Sequence, residues 1–301
     1  MGVKLSIILT LCGAVLLSCL SPPKSSEVIV AKKEPKKEPK IETNAEKELS
    51  RIERRKKILE SERLYSLRLE DVLDQALLRI DSYSFNTSFK EAYEVLANSV
   101  FTVNVEMDYD FHFSKKKRHL IINRLSPAAT QIDVFTHTSD GLERILFHTK
   151  SPFEFTGDTL TDVNGDGLKD LVVNWYGTSG CCLKAFSDVY LIRNNLQSFS
   201  DPITFINPTF SSRERVIRGL CYGHPGETEL YKFKWNGEKV DTLEYVAFET
   251  DDTNVRTGNV ILSNQYPGHK DYKILRTVKS VPNDYRNIEG YSWFAAERIY
   301  D

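Results

Sequence analysis

The sequence predicts an α+β chain, an N-terminal helical stalk followed by a mostly antiparallel β body. Three observations carry this reading. Residues 44–82 contain neither Pro nor Gly, and within them Leu69, Val72, Leu73, Ala76, Leu77 and Ile80 fall at i, i+3, i+4, i+7, i+8 and i+11, a single apolar stripe on a helix. From Phe101 onward the apolar period shortens to two, as in Phe101, Val103 and Val105. Lastly, the alternating Tyr231, Phe233 and Trp235 run into Asn236-Gly237, the strongest short-range hairpin signal.

Taken in chain order, residues 1–18 read as a signal peptide. Lys4 precedes an apolar run from Leu5 to Leu17, well short of the roughly 20 residues that span a bilayer. The run ends in Leu16, Leu17, Ser18 and Cys19, which resembles the lipobox of bacterial lipoproteins. That resemblance implies cleavage before Cys19 and lipidation of its sulfur and new amino terminus. More than one acyl chain is what stable anchoring requires. Leu20 stands where an Asp favours inner-membrane retention, so the expected location is the cell envelope, at the outer membrane before the inner. An ordinary secretory signal with Cys19 incidental is the alternative.

Residues 19–43 are Pro- and Lys-rich, with Lys-Lys-Glu-Pro repeated at 32–35 and 36–39, and read as a flexible tether. Lys24 to Ser66 holds thirteen basic and nine acidic residues, net +4, whereas Leu67 to Asp301 holds 26 basic and 33 acidic, net −7. A whole-chain charge of −2 offers no basic field, which argues against a nucleic-acid partner. Residues 44–98 are expected to form the stalk and docking helices: Leu49, Ile52 and Leu59 among charged residues continue the helix into solvent. A second short helix is predicted from Ser88 to Ala97, apolar at Phe89, Ala92, Tyr93 and Leu96. Residues 99–301 form the β body. Its signals include Ile132, Val134 and Phe135, the turn at Ser139-Asp140-Gly141 before Ile145 to Phe147, Val260 to Leu262, and Ile274-Leu275. The Lys115 to Arg118 run is expected to cap a hairpin in solvent.

The most specific stretch runs from Asp162 to Val173. Asp162, Asn164, Asp166 and Asp170 place side-chain oxygens at positions 1, 3, 5 and 9, Gly167 permits a sharp turn at position 6, and Leu168 offers its carbonyl at position 7. Such spacing wraps a hard cation, Ca²⁺, that takes six to eight oxygens. Position 12 is Val173 where an EF-hand has a bidentate Glu, so the loop should lead into a buried strand. Asp170 closes the ligand set, and Asp158 is an outer carboxylate.

This D-x-N-G-D-G-x-x-D string resembles the calcium loop of FG-GAP/VCBS-type repeats, where it joins strands of a β-propeller blade. The resemblance implies a propeller-like body, although no repeat is clear enough to define blades. With Gly180-Cys181-Cys182 and the Trp235 to Gly237 hairpin, the stretch from Phe153 to Val240 is similar to a diffuse group of extracytoplasmic bacterial lipoproteins with one such loop. Some of that group act as immunity proteins against cell-wall hydrolases.

Of the five cysteines, Cys12 leaves with the signal and Cys19 is lipidated, leaving Cys181, Cys182 and Cys221. One of the adjacent pair is expected to bridge to Cys221, closing a loop of about forty residues worth about 4 kcal/mol in the chain-entropy model. Two alternatives are redox chemistry, and zinc on Cys221 and His224 with Cys181 or Cys182. No nucleophile elbow or phosphate-cradling loop is present in the sequence. The expectation is a lipid-anchored, calcium-stiffened binding or structural module. Its partners are the membrane and an envelope protein such as a cell-wall hydrolase. The alternative is an envelope hydrolase whose catalytic residues the sequence does not nominate.

Overall fold

The computed structural model describes residues 44–80, 82–97, 99 and 101–296. The signal run, Cys19 and the tether lie outside the described residues. The chain divides into two units between Arg54 and Arg55. Among the described residues the first holds only the beginning of helix α1 (Asn44–Ile80). There the chain is a charged rod: Leu49 and Ile52 are exposed, and Arg51 pairs with Glu48 at 3.6 Å. One such i,i+3 pair contributes only about 0.2–0.5 kcal/mol.

In the second unit α1 acquires a buried face. Leu69, Val72, Leu73, Ala76 and Ile80 are buried and Leu77 partly so, as their spacing predicts, while Leu59 remains exposed. No helix among the described residues is long and apolar enough to cross a membrane.

The body is three antiparallel meanders. The first sheet contains β1 (Phe89–Ala97), β2 (Phe101–Asp110), β3 (His119–Leu125), β4 (Thr130–Thr138) and β5 (Gly141–Lys150). A second follows with β6 (Phe155–Thr161), β7 (Asp170–Tyr176), β8 (Ala185–Tyr190) and β9 (Ile203–Ile206). The third comprises β10 (Pro208–Ser211), β11 (Val216–Leu220), β12 (Leu230–Asn236), β13 (Lys239–Thr250), β14 (Arg256–Ser263) and β15 (Ile274–Val278). A 3₁₀ turn (Asn283–Tyr285) and a short helix α2 (Tyr291–Ala295) end the described chain.

Alternation along each strand assigns residues to successive cores. Leu120 and Ile122 of β3 pack with the α1 stripe, whereas Ile121 turns to the opposite face. There it joins Ile132 and Val134 of β4 and Leu171 and Val173 of β7, so the first sheet packs on the second. Val172 and Val189 face the other way, onto Ile217, Tyr231 and Trp235 of the third sheet. Leu220, Leu230 and Val246 then cover Tyr285 and Phe294 of the C-terminal segment. The second sheet is thus apolar on both faces, which explains the uninterrupted Leu171-Val172-Val173 run. Among the described residues these sheets form no closed propeller or barrel. Helix α1 covers the outer face of the first sheet and the C-terminal segment that of the third, so the stack is capped at both ends.

Both predicted hairpins are present: Ser139-Asp140 joins β4 to β5, and β12 turns into β13 at Gly237-Glu238, one residue past the predicted Asn236-Gly237, because Asn236 still pairs with Lys239. Residues 111–118, with their basic run, connect the paired strands β2 and β3. The helix predicted over Ser88 to Ala97 is instead β1, paired with β2 across nine registered residues. Phe89 and Tyr93 lie four apart, a spacing that shares a face in a strand as well as in a helix. Edge pairing decides for the strand, leaving Leu96, inward on the helical reading, exposed.

Candidate metal centre

The Asp162 to Asp170 loop joins β6 to β7, as the sequence predicts for a loop entering a buried strand. Gly167 adopts φ +88°, the left-handed region that an L side chain avoids, so the sharp turn at position 6 requires glycine. The loop organises itself around its own side-chain oxygens. Asp162 accepts from the amides of Gly165 (2.6 Å) and Gly167 (3.0 Å), Asn164 Oδ1 from that of Asp166 (3.0 Å), and Asp166 Oδ1 from that of Leu168 (2.8 Å). The Asn164 amide nitrogen donates to Asp166 Oδ2 at 3.1 Å.

Its two flanks are fixed by the cores. Leu168 packs beneath the first and second sheets, and the Lys169 amide donates to the Phe113 carbonyl at 2.9 Å. From the third sheet Arg215 donates through Nε to the Asn164 carbonyl at 2.9 Å.

Asp170, the first residue of β7, is fully buried. Its two carboxylate oxygens accept from the Val163 and Ile192 amides, each at 3.1 Å. Burial pushes this carboxyl up to about 7; the two amide bonds oppose the shift, and the charges of Asp166 and Asp162 add to it. Two amides leave further acceptor capacity on a group that no cationic side chain bonds among the described residues. An all-oxygen donor set around a buried carboxylate fits Ca²⁺ in its chemistry. Asp162, Asn164, Asp166, Asp170 and the Leu168 carbonyl are the groups that would hold it. Asp158 is also raised by burial, with Glu106 adding to the effect.

The three loop carboxylates do not form a cluster with all ligand atoms within 4.8 Å of one another. Among the described residues Cys181, Cys182 and His224 do. No family model matches this chain, and no curated protein or solved structure does.

The expected Cys221 bridge is not formed: Cys181, Cys182 and Cys221 are all free. Cys221 turns into the core between the second and third sheets, where burial, with Glu229 adding, pushes its thiol up to about 12. Cys181 is exposed, on the bend between β7 and β8, with its sulfur beside those of its neighbour and of no other described cysteine. The zinc set read from sequence is corrected in the same way, since Cys221 is outside the cluster that Cys181, Cys182 and His224 form.

A cleft of 640 Å³ on the third sheet also escaped the sequence reading. It is lined by Glu227, Glu229, Arg256 and Phe248 among others. Burial raises the Glu229 carboxyl. Two glutamates two residues apart carry no recognisable signal in a chain with 42 acidic residues, so only the fold could single them out.

Proposed function

We propose that this chain is a lipid-anchored bacterial envelope protein whose body, stiffened by one Ca²⁺, binds another envelope protein, with a cell-wall hydrolase that it inhibits as the favoured partner. The observation that carries the reading is the seating of the Asp162 to Asp170 loop. It is braced by Phe113 and Leu168 on one side and Arg215 on the other, with Asp170 buried at its end. An ion there joins segments of all three sheets, which suits a structural role. The test of binding is inhibition. At equimolar ratio the protein should suppress clearing of a peptidoglycan suspension by at least one of a panel of secreted bacterial cell-wall hydrolases, and should clear none itself. Clearing by the protein alone would overturn the reading.

Anchoring is tested separately. Metabolic labelling with a palmitate analogue should mark the wild type and miss Cys19→Ala; equal labelling of both removes the lipid anchor from the proposal.

A second reading, envelope hydrolase, is favoured by the cleft that Glu227 and the raised Glu229 both line. Raised carboxyls serve as general acids in glycoside hydrolysis. On that reading Glu229→Gln abolishes cell-wall cleavage by the purified protein; on the favoured reading there is no cleavage to abolish.

A further inference from the structure

Adjacent cysteines on a strand point to opposite faces. Here they do not lie on a strand. The β7–β8 connection bends at Gly180, whose φ of +94° is open to glycine and whose Cβ, were there one, would stand 2.8 Å from the Tyr222 hydroxyl. Past that bend both sulfurs turn to one side, with Cys181 Sγ 3.5 Å from Cys182 Sγ and 3.8 Å from His224 Nδ1. All three ligand atoms lie within 4.8 Å of one another.

From these distances we propose that Cys181, Cys182 and His224 form a zinc site with three protein ligands, one that ties the β7–β8 loop of the second sheet to the β11–β12 loop of the third. Tetrahedral zinc, with Zn–S near 2.3 Å and Zn–N near 2.0 Å, separates two sulfurs by about 3.8 Å and a sulfur from a nitrogen by about 3.5 Å. The observed 3.5 and 3.8 Å need shifts of only a few tenths of an ångström. Thiolate and imidazole together suit zinc and exclude the hard cation of the Asp162 loop.

The surroundings support the set. His224 sits on a loop pinned from several directions: Trp293 Nε1 donates to the Gly223 carbonyl (3.0 Å), Arg256 to that of Gly226 (2.7 Å), and the Glu227 amide to that of His224 (3.1 Å). Asn207 holds the bases of the two loops together, its side-chain amide donating to the carbonyls of both Leu183 and Leu220 at 3.1 Å. The Tyr222 hydroxyl faces the same bend, on the side of Gly180 where Lys184 Nζ also lies. Lys184, largely buried and on the same side of Gly180, offsets the charge of two thiolates. Three protein ligands leave the fourth position to water.

The test uses the purified full-length protein in reducing buffer, with Co²⁺ as a spectroscopic stand-in and then Zn²⁺ itself. One Co²⁺ per chain should produce an intense near-ultraviolet thiolate-to-metal charge-transfer band, displaced stoichiometrically by Zn²⁺. Cys181 and His224 are exposed, so Cys181→Ser and His224→Gln should remain folded by circular dichroism. Each should weaken Zn²⁺ binding by at least about a hundredfold, the upper end of what losing even an outer-shell partner costs. Cys221→Ala and Asp166→Ala should leave it unchanged, which separates this site from the core thiol and from the calcium loop. Absence of the band in fully reduced protein overturns the proposal, as does binding that survives Cys181→Ser or is lost in Cys221→Ala.

Discussion

Replacing Arg124 by Met should destabilise the body by about 3–5 kcal/mol, the usual cost of stripping one partner from a buried ion pair. Arg124 and Asp133 are both fully buried, with Nη2 donating to Asp133 Oδ2 at 2.6 Å. The other terminal nitrogen, Nη1, donates to the Leu69 carbonyl of α1. One residue of β3 thereby couples the helix to the first sheet. In Arg124→Met the Asp133 carboxylate retains only Arg144, a half-exposed partner at 3.2 Å. Thermal denaturation should show a fall in Tm on the order of 10 °C, taking about 2–4 °C per kcal/mol for a domain of this size. The double variant Arg124→Met/Asp133→Leu should recover most of the loss, because it buries no unpaired charge. A loss below about 1 kcal/mol in the single variant, or a double variant no better than the single, would show that the pair does not hold the helix.

Calcium should have the second large effect. The loop has three carboxylates and lacks the bidentate Glu of tight sensors, so affinity should be on the order of 10⁻⁴ to 10⁻³ M, as in extracellular modules. An ion that binds only the folded state adds about 2.7 kcal/mol at a hundredfold excess over Kd. Chelation should then lower Tm by several degrees, and Asp166→Ala should abolish the response. The size of the response should depend on pH. Without metal the folded Asp170 carboxyl lies near 7, above its unfolded value, so the folded state holds the extra proton. Stability of the metal-free protein therefore falls as pH rises from about 4 to about 7, and the penalty is complete above that window. Calcium takes the place of that proton, so the Tm increment should be larger at pH 8 than at pH 5. Equal increments at both pH values, or in wild type and Asp166→Ala, would reduce the loop to a turn.

The oxygens of the candidate calcium loop were legible because they sit within nine consecutive residues, where spacing along the chain sets spacing in space. The same locality made the Asn236-Gly237 hairpin readable, along with the buried stripe from Leu69 to Ile80. β1 reads as a helix from sequence because Phe89 and Tyr93 satisfy both periods, and only β2 alongside decides between them. Arg124 gave no signal, since a charged residue inside a strand reads as solvent-facing until the helix that covers it is in place.

By itself, then, the sequence determined the buried stripe of the first helix, the change from helix to sheet, the two hairpins, and which oxygens share the Asp162 to Asp170 loop, all consequences of neighbours along the chain. The tertiary structure decided which cysteines meet. Cys221 has the C-x-x-H spacing to His224, yet its side chain packs into the core between the second and third sheets. The bend at Gly180 delivers Cys181 and Cys182 to His224 in its place. Cys181 and His224 lie 43 positions apart in the chain, and their approach is fixed by how the second and third sheets pack face to face, a long-range outcome that no local spacing encodes.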